Sequence, residues 1–298
     1  MKTSLLVLIA LFLFSGITSA QDAFKVLMNK GTNEVKSGAN WLPIKVGTSL
    51  KASDEIKVPA NAYLGLIHVS GKPLELKEAG KYSVADLDKK IGSSGTSVLN
   101  KYADFVLSAN EKKKNNLAAT GAVHRGQNKI QIFLPRPSGV VYNNLVIIDW
   151  EKGKVPPPYI VSFNSMFGDE LKQVEVNDNT ITIDLNDASF ENEDNIMVYV
   201  VSKTDKSKDS EQYTLKKLSK GDKTRIKNSL NEIAEQTAEQ TALNKLVLAG
   251  FYEQNGLLID ATTAYLEAIR LAPDVTPYAE AYNDFLLRNG IKEPPVKK

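Results

Sequence analysis

Cysteine is absent from all 298 residues, and histidine and tryptophan occur only twice each. Without thiols there is no disulfide and no thiolate zinc site. There is also no cysteine at a cleavage site to carry a lipid. His68 and His124 stand far apart with no acidic residue at ligand spacing, so no His-based metal centre or Ser-His-Asp chemistry is indicated. Net charge is also scarce, at +2, which removes a net electrostatic case for nucleic acid or an anionic membrane. Long apolar runs are missing too. The longest, Leu5–Phe14, spans about half of a ~30 Å hydrocarbon core.

What is present begins with that run. Lys2 precedes it, Gly16 breaks it, and Thr18-Ser19-Ala20 offers small residues for cleavage, so residues 1–20 read as a signal peptide. The expectation is an exported protein, periplasmic or extracellular, with no membrane span after cleavage. Its remaining length allows two or three domains.

Residues 21–87 alternate apolar and polar positions in short runs: Phe24–Met28, Trp41–Val46, Asp54–Val58, Tyr63–Val69 and Leu74–Leu76. In the fourth run, Tyr63, Gly65, Ile67 and Val69 share one face, and Leu64, Leu66 and His68 the other. Trp41, Tyr63 and Tyr82 fit either the core or a sugar- or peptide-binding surface. Residues 88–127 read as a linker, flexible at Gly92–Ser97. It carries one amphipathic helix marked by Val98, Tyr102, Phe105, Val106 and Ala109.

Residues 128–218 carry seven short runs with turn signals between them: Lys129–Leu134, Leu145–Trp150, Tyr159–Phe163, Leu171–Val176, Thr180–Leu185, Asn195–Ser202 and Gln212–Leu218. That rhythm predicts a seven-stranded sandwich. Asn177-Asp178-Asn179 predicts a hairpin joining the strands that end at Val176 and start at Thr180. The Glu191, Glu193, Asp194 cluster reads as a solvated turn. Asp184, Asn186 and Asp187 lack the pattern of a calcium loop.

Residues 219–298 are helical in pattern. Ile226, Leu230, Ile233 and Ala238 start an apolar stripe, readable as one long helix or as two with a break near Gln240. Leu248, Ala249, Tyr252, Gly256, Ala261, Tyr265, Ala268 and Pro273 follow at helix-turn-helix spacing. Gly256 and Gly290 are 34 residues apart. Thr276-Pro277 reads as an N-cap followed by Pro at the first helical position.

Three resemblances follow from these residues. Val46-Gly47-Thr48-Ser49-Leu50, Ser53–Val58, Ala62–Ile67 and Gly71–Leu76 together resemble the FecR-type domain, a small β module of exported bacterial proteins. Ile148-Asp149-Trp150, Pro156-Pro157-Pro158 and Tyr159–Phe163 resemble a fibronectin type III or immunoglobulin-like module. That resemblance implies a core role for Trp150. Leu248–Pro273 resembles a tetratricopeptide repeat, although Lys245 stands where that family usually has Trp and Ala249 where it often has Gly.

The repeat resemblance places Leu243, Leu246, Gly250, Glu253 and Gln254 toward a groove. Leu243 and Leu246 are apolar where a groove for a polar peptide is usually polar. They therefore pack internally or, together with Glu253 and Gln254, meet a partner protein. No cofactor is implied. The expectation is a multidomain all-β plus all-α protein: a non-catalytic scaffold acting through envelope proteins. The alternative is a ligand- or glycan-sensing accessory protein using the N-terminal β module.

Overall fold

The computed structural model describes residues 22–92, 98–116, 129–153 and 155–293. The signal-peptide expectation, His124 and most of Gly92–Ser97 lie outside the described residues. The content is mixed, with many strands in several sheets and six helices.

The first β unit contains β1 (Asp22–Lys30), β2 (Glu34–Ser37), β3 (Asn40–Pro43), β4 (Ser49–Lys51), β5 (Glu55–Val58), β6 (Tyr63–His68), β7 (Pro73–Leu76) and β8 (Gly80–Ser83). They form two four-stranded sheets, ordered β4-β1-β6-β7 and β3-β2-β5-β8. Phe24, Val26, Leu50, Ile56, Val58, Leu64 and Leu66 share one buried core. All of β6 is buried. Its second face, with Tyr63 and Ile67, belongs to a different core, shared with helices. A strand covered on both sides needs apolar residues at every position, which is why its sequence is nearly continuous in apolar residues.

Strands β2, β4 and β8 were not among the runs expected from sequence. Each is short and charged or small in composition, so alternation is faint. Helix α1 (Val84–Ile91) follows, capped by Ser83, whose hydroxyl accepts from the Asp86 N–H. Helix α2 (Val98–Asn116) matches the expected amphipathic helix. It is no free connector: Leu99, Tyr102, Ala103 and Val106 are buried among the C-terminal helices.

The second β unit comprises β9 (Lys129–Ile130), β10 (Ser138–Val141), β11 (Leu145–Asp149), β12 (Tyr159–Asn164), β13 (Glu170–Val176), β14 (Thr180–Asp184), β15 (Asn195–Ser202), β16 (Asp209–Ser210) and β17 (Tyr213–Lys217). The main path of the larger sheet is β10-β17-β15-β12-β13, with β16 beside β15 and β9 beside β16. A separate sheet pairs β11 with β14. Both sheets bury side chains in one core around Trp150, which is fully buried with its ring edge-on to Tyr159.

The expected hairpin between Val176 and Thr180 does not form. β13 pairs with β12, and β14 pairs with β11 instead. Asn179 makes the crossing: its carbonyl accepts from the Trp150 N–H, and its side-chain amide donates to the Trp150 carbonyl. Those bonds draw the turn to the other sheet before β14 begins.

Helices α3 (Lys220–Asn231), α4 (Ala242–Gln254), α5 (Leu258–Leu271) and α6 (Thr276–Arg288) complete the chain. The apolar stripe is therefore two helices, and Thr241 caps the second by accepting from the Asn244 N–H. Gly256 and Gly290 both adopt positive φ, +72° and +65°, just after α4 and α6. Glycine carries no Cβ penalty in that conformation. Val275, not Thr276, holds the N-cap position of α6, and it makes no side-chain cap.

Candidate interaction surfaces

The residues offered for either internal packing or a partner are mostly spent inside the chain. Leu243 and Leu246 are fully buried. The Leu243 N–H donates to Glu75 on β7 at 2.8 Å, and a Cβ on Gly65 of β6 would lie 3.0 Å from Leu243 Cδ1. Gly250 lies against α2: an added Cβ would meet Val106 at 2.8 Å and the Tyr102 carbonyl oxygen at 3.0 Å. Glu253 accepts two hydrogen bonds from Arg288, at 2.7 and 2.6 Å, and one from Asn289 at 2.8 Å. Only Gln254 is exposed. The groove face of α4 is thus covered by α2, β6 and the end of α6. A buried ion pair of this kind survives because its remaining lone pairs are satisfied.

The helical unit is fastened to both β units by polar contacts at their boundaries. On the first unit, the Tyr63 and Tyr278 hydroxyls meet at 2.5 Å. Burial, first of all, pushes the ionisation of both far up. On the second unit, Asp260 of α5 accepts from the Tyr142 and Asn143 N–H groups at 2.9 and 2.8 Å, and Thr263 accepts from the Ile147 N–H at 3.0 Å. Tyr282 of α6 donates to Asp149 at 2.7 Å. Burial raises the Asp260 carboxyl to about 6 and the Asp149 carboxyl to about 7, against the lowering effect of those hydrogen bonds. Ile259 of α5 enters the core of the second unit beside Gly139.

Beside that joint lies a cleft of about 440 Å³. Asn144, Leu145, Asp184 and Asn186 form its β side, and Leu248, Tyr252 and Thr263 its helical side. Lys245 and Glu267 pair on its helical side at 2.6 Å. With Lys245 neutralised, Asp184 and Asp260 leave the cleft acidic, which disfavours anionic ligands.

Sequence reasoning set His68 aside, yet the fold gathers polar partners around it. Its Nδ1 accepts the Ser70 N–H at 3.1 Å and lies 2.7 Å from the Ser70 hydroxyl, and its Nε2 lies 2.7 Å from Asp88 on α1. The backbone donor at Nδ1 leaves Nε2 as the protonated nitrogen, facing the carboxylate. His68 and Ser70 are both buried. The neighbouring cleft of about 210 Å³ is lined by His68 but by neither Ser70 nor Asp88. The cluster fastens the β6–β7 turn to α1. Separations of 2 and 20 residues in sequence gave no sign of it. Among the described residues, no group of three or more His, Asp or Glu gathers in a way that could hold a metal ion. Nor is any helix there long and apolar enough to cross a membrane.

Two features face outward. Trp41 is half-buried on β3, with the ammonium groups of Lys57 and Lys81 at 5.9 and 5.7 Å from its ring centre. Tyr63, by contrast, is core, and Tyr82 donates to the Glu78 carbonyl. The second feature is the turn between β12 and β13, where Phe167 is 95% exposed and Met166 60%.

No family model and no curated protein matches the chain. Among solved structures, a chain in a complex of Porphyromonas gingivalis RgpB pro- and mature domains is similar at 19% identity. The match covers 30% of this chain, with a TM-score of 0.22. It spans about a fifth of that chain's length, 19%.

Proposed function

We propose that the protein is a non-catalytic interaction or scaffold protein, exported to a bacterial cell envelope, that works by presenting rigid surfaces to other envelope proteins. In this reading its units are a FecR-like β domain, a fibronectin-type sandwich and a tetratricopeptide-like helical segment. The observation that carries it is the fastening of one helical unit to two β units, through Tyr63–Tyr278 on one side and Asp149–Tyr282 with Asp260 on the other. Units joined in this way hold their outer faces at fixed separations, which suits a protein whose product is placement. Crosslinking in intact cells tests the proposal. Discrete adducts with other envelope proteins are expected, and recovery of uncrosslinked protein alone would overturn it.

A second reading rests on Trp41. A half-buried indole beside the Lys81 ammonium, and beside that of Lys57, which Glu34 shares at 2.9 Å, suits an acidic glycan, with the first β unit as a sensor. Trp150 is fully buried, so indole quenching by an added ligand reports on Trp41. Saturable quenching by a sulfated oligosaccharide, absent with its neutral parent and lost in Lys57→Ala/Lys81→Ala, is the expected result. No quenching by either sugar would remove this reading.

A further inference from the structure

The turn at Ser165–Asp169 is tightly built yet apolar at its tip. The Ser165 hydroxyl accepts from the Phe167 and Asp169 N–H groups, each at 3.1 Å, and meets the Asp169 carboxylate at 3.1 Å. The Ser165 N–H donates to the Asp169 carbonyl at 2.8 Å, and the Gly168 N–H to the Ser165 carbonyl at 3.1 Å. Gly168 at φ +93° closes the loop. Five residues thus hold Met166 and Phe167 out in water, where large apolar side chains gain nothing by themselves. A preformed turn loses little freedom when its tip enters a pocket.

The surroundings are predominantly acidic, although Lys216, opposite Asn195 in register, is exposed at the same end. Register places Asn164 beside Glu170 and Met197, so the start of β15 lies at the same end. That end carries Asp169, Glu170, Glu191, Glu193 and Asp194. The nearby Lys172 is taken up by its ion pair with Asp187. Lys217 donates to the Phe190 carbonyl, and the segment holding the acidic cluster is ordered around buried Phe190. An acidic collar repels anionic lipid and attracts cations.

We infer that the Met166–Phe167 turn is a docking knob for a partner protein whose surface offers an apolar pocket rimmed by lysine or arginine. The inference rests on the scaffold reading and names the chemistry of one contact within it. Its test places p-benzoylphenylalanine at position 167 or, separately, at position 254 of the full chain, irradiates intact cells, and maps the crosslinked peptides.

The expected result at 167 is one dominant protein adduct, mapped to an apolar segment with basic neighbours. Its yield should fall at least threefold with Met166→Ser, and likewise with Glu193→Lys/Asp194→Lys, at unchanged melting temperature. Adducts at 254 but none at 167 would overturn this inference and leave the scaffold reading standing. Adducts at neither position would count against both. An adduct indifferent to the charge reversal, or lacking basic neighbours, would also overturn it. A Phe167→Trp variant separates lipid from protein. Its emission should not shift relative to the unsubstituted protein on adding phosphatidylcholine vesicles, and a blue shift would replace the protein partner with a membrane.

Discussion

Asp149 and Asp260 are carboxyls placed where charge is costly. Burial raises them to about 7 and about 6, whereas an unfolded aspartate titrates near 3.9. The folded protein therefore holds protons that the unfolded chain has released. Their contribution to stability is full below about pH 4 and is lost as pH rises through 6 and 7. Asp187 works the other way. Its hydrogen bond from Lys172, above all, lowers it to about 2, so its contribution is lost only as pH falls below about 4. Between pH 5 and 8 the buried pair governs, and the melting temperature should fall across that range. Asp149→Asn keeps an acceptor for Tyr282 without an ionisable group, so the fall should shrink in melting curves at pH 5 and pH 8. An unchanged slope would show that Asp149 titrates normally.

At the scale of elements, three helix contacts depend on glycine. Gly65 admits Leu243, Gly139 admits Ile259, and Gly250 admits α2. At Gly250 the obstacle to a Cβ is the Tyr102 backbone oxygen as well as Val106, so the helices must separate. Gly250→Ala should cost roughly 1–3 kcal/mol, as overpacking does, measurable by denaturant titration. Leu243→Asp should unfold the protein rather than strip away a partner, because it places a carboxylate in a fully buried site. Urea midpoints for both variants, set beside Gln254→Asp as an exposed control, check this.

What the sequence made legible divides along the same lines. The long runs β6, β12 and β15 and the helix ends at Gly256 and Gly290 were readable, because periodicity and glycine act locally. The pairing of β14 with β11 was not, because the Asn177-Asp178-Asn179 turn signal is local while the Asn179–Trp150 bonds span 29 residues. The burial of α2 was missed for a similar reason. Its hydrophobic spacing was visible, but nothing in it names the partner helix. Leu243 and Leu246 are more apolar than a groove for a polar peptide needs, and both are buried, Leu243 against Glu75 and Gly65, far upstream. Glu253 looked like a groove residue until Arg288 came alongside.

For the whole molecule, the helices touch both β units. The first unit has its own core around Phe24 and Leu64, yet its β6 has a second face shared with α2 and the C-terminal helices. A chain ending at residue 218 should therefore expose Tyr63 and Gly65, which meet Tyr278 and Leu243. Enhanced binding of a hydrophobic dye and concentration-dependent association are expected, read by fluorescence and light scattering. A truncated chain that stays monomeric and dye-free would mean that the first unit repacks on its own.

The two-sided burial of β6 also sets a timetable. Residues 63–67 leave the ribosome well before residues 243–278 that close over them. That face of β6 stays without its C-terminal cover until then. The molecule reaches its final form only when its tail arrives. A chaperone that meets the nascent chain finds Tyr63 and Gly65 still without their C-terminal partners.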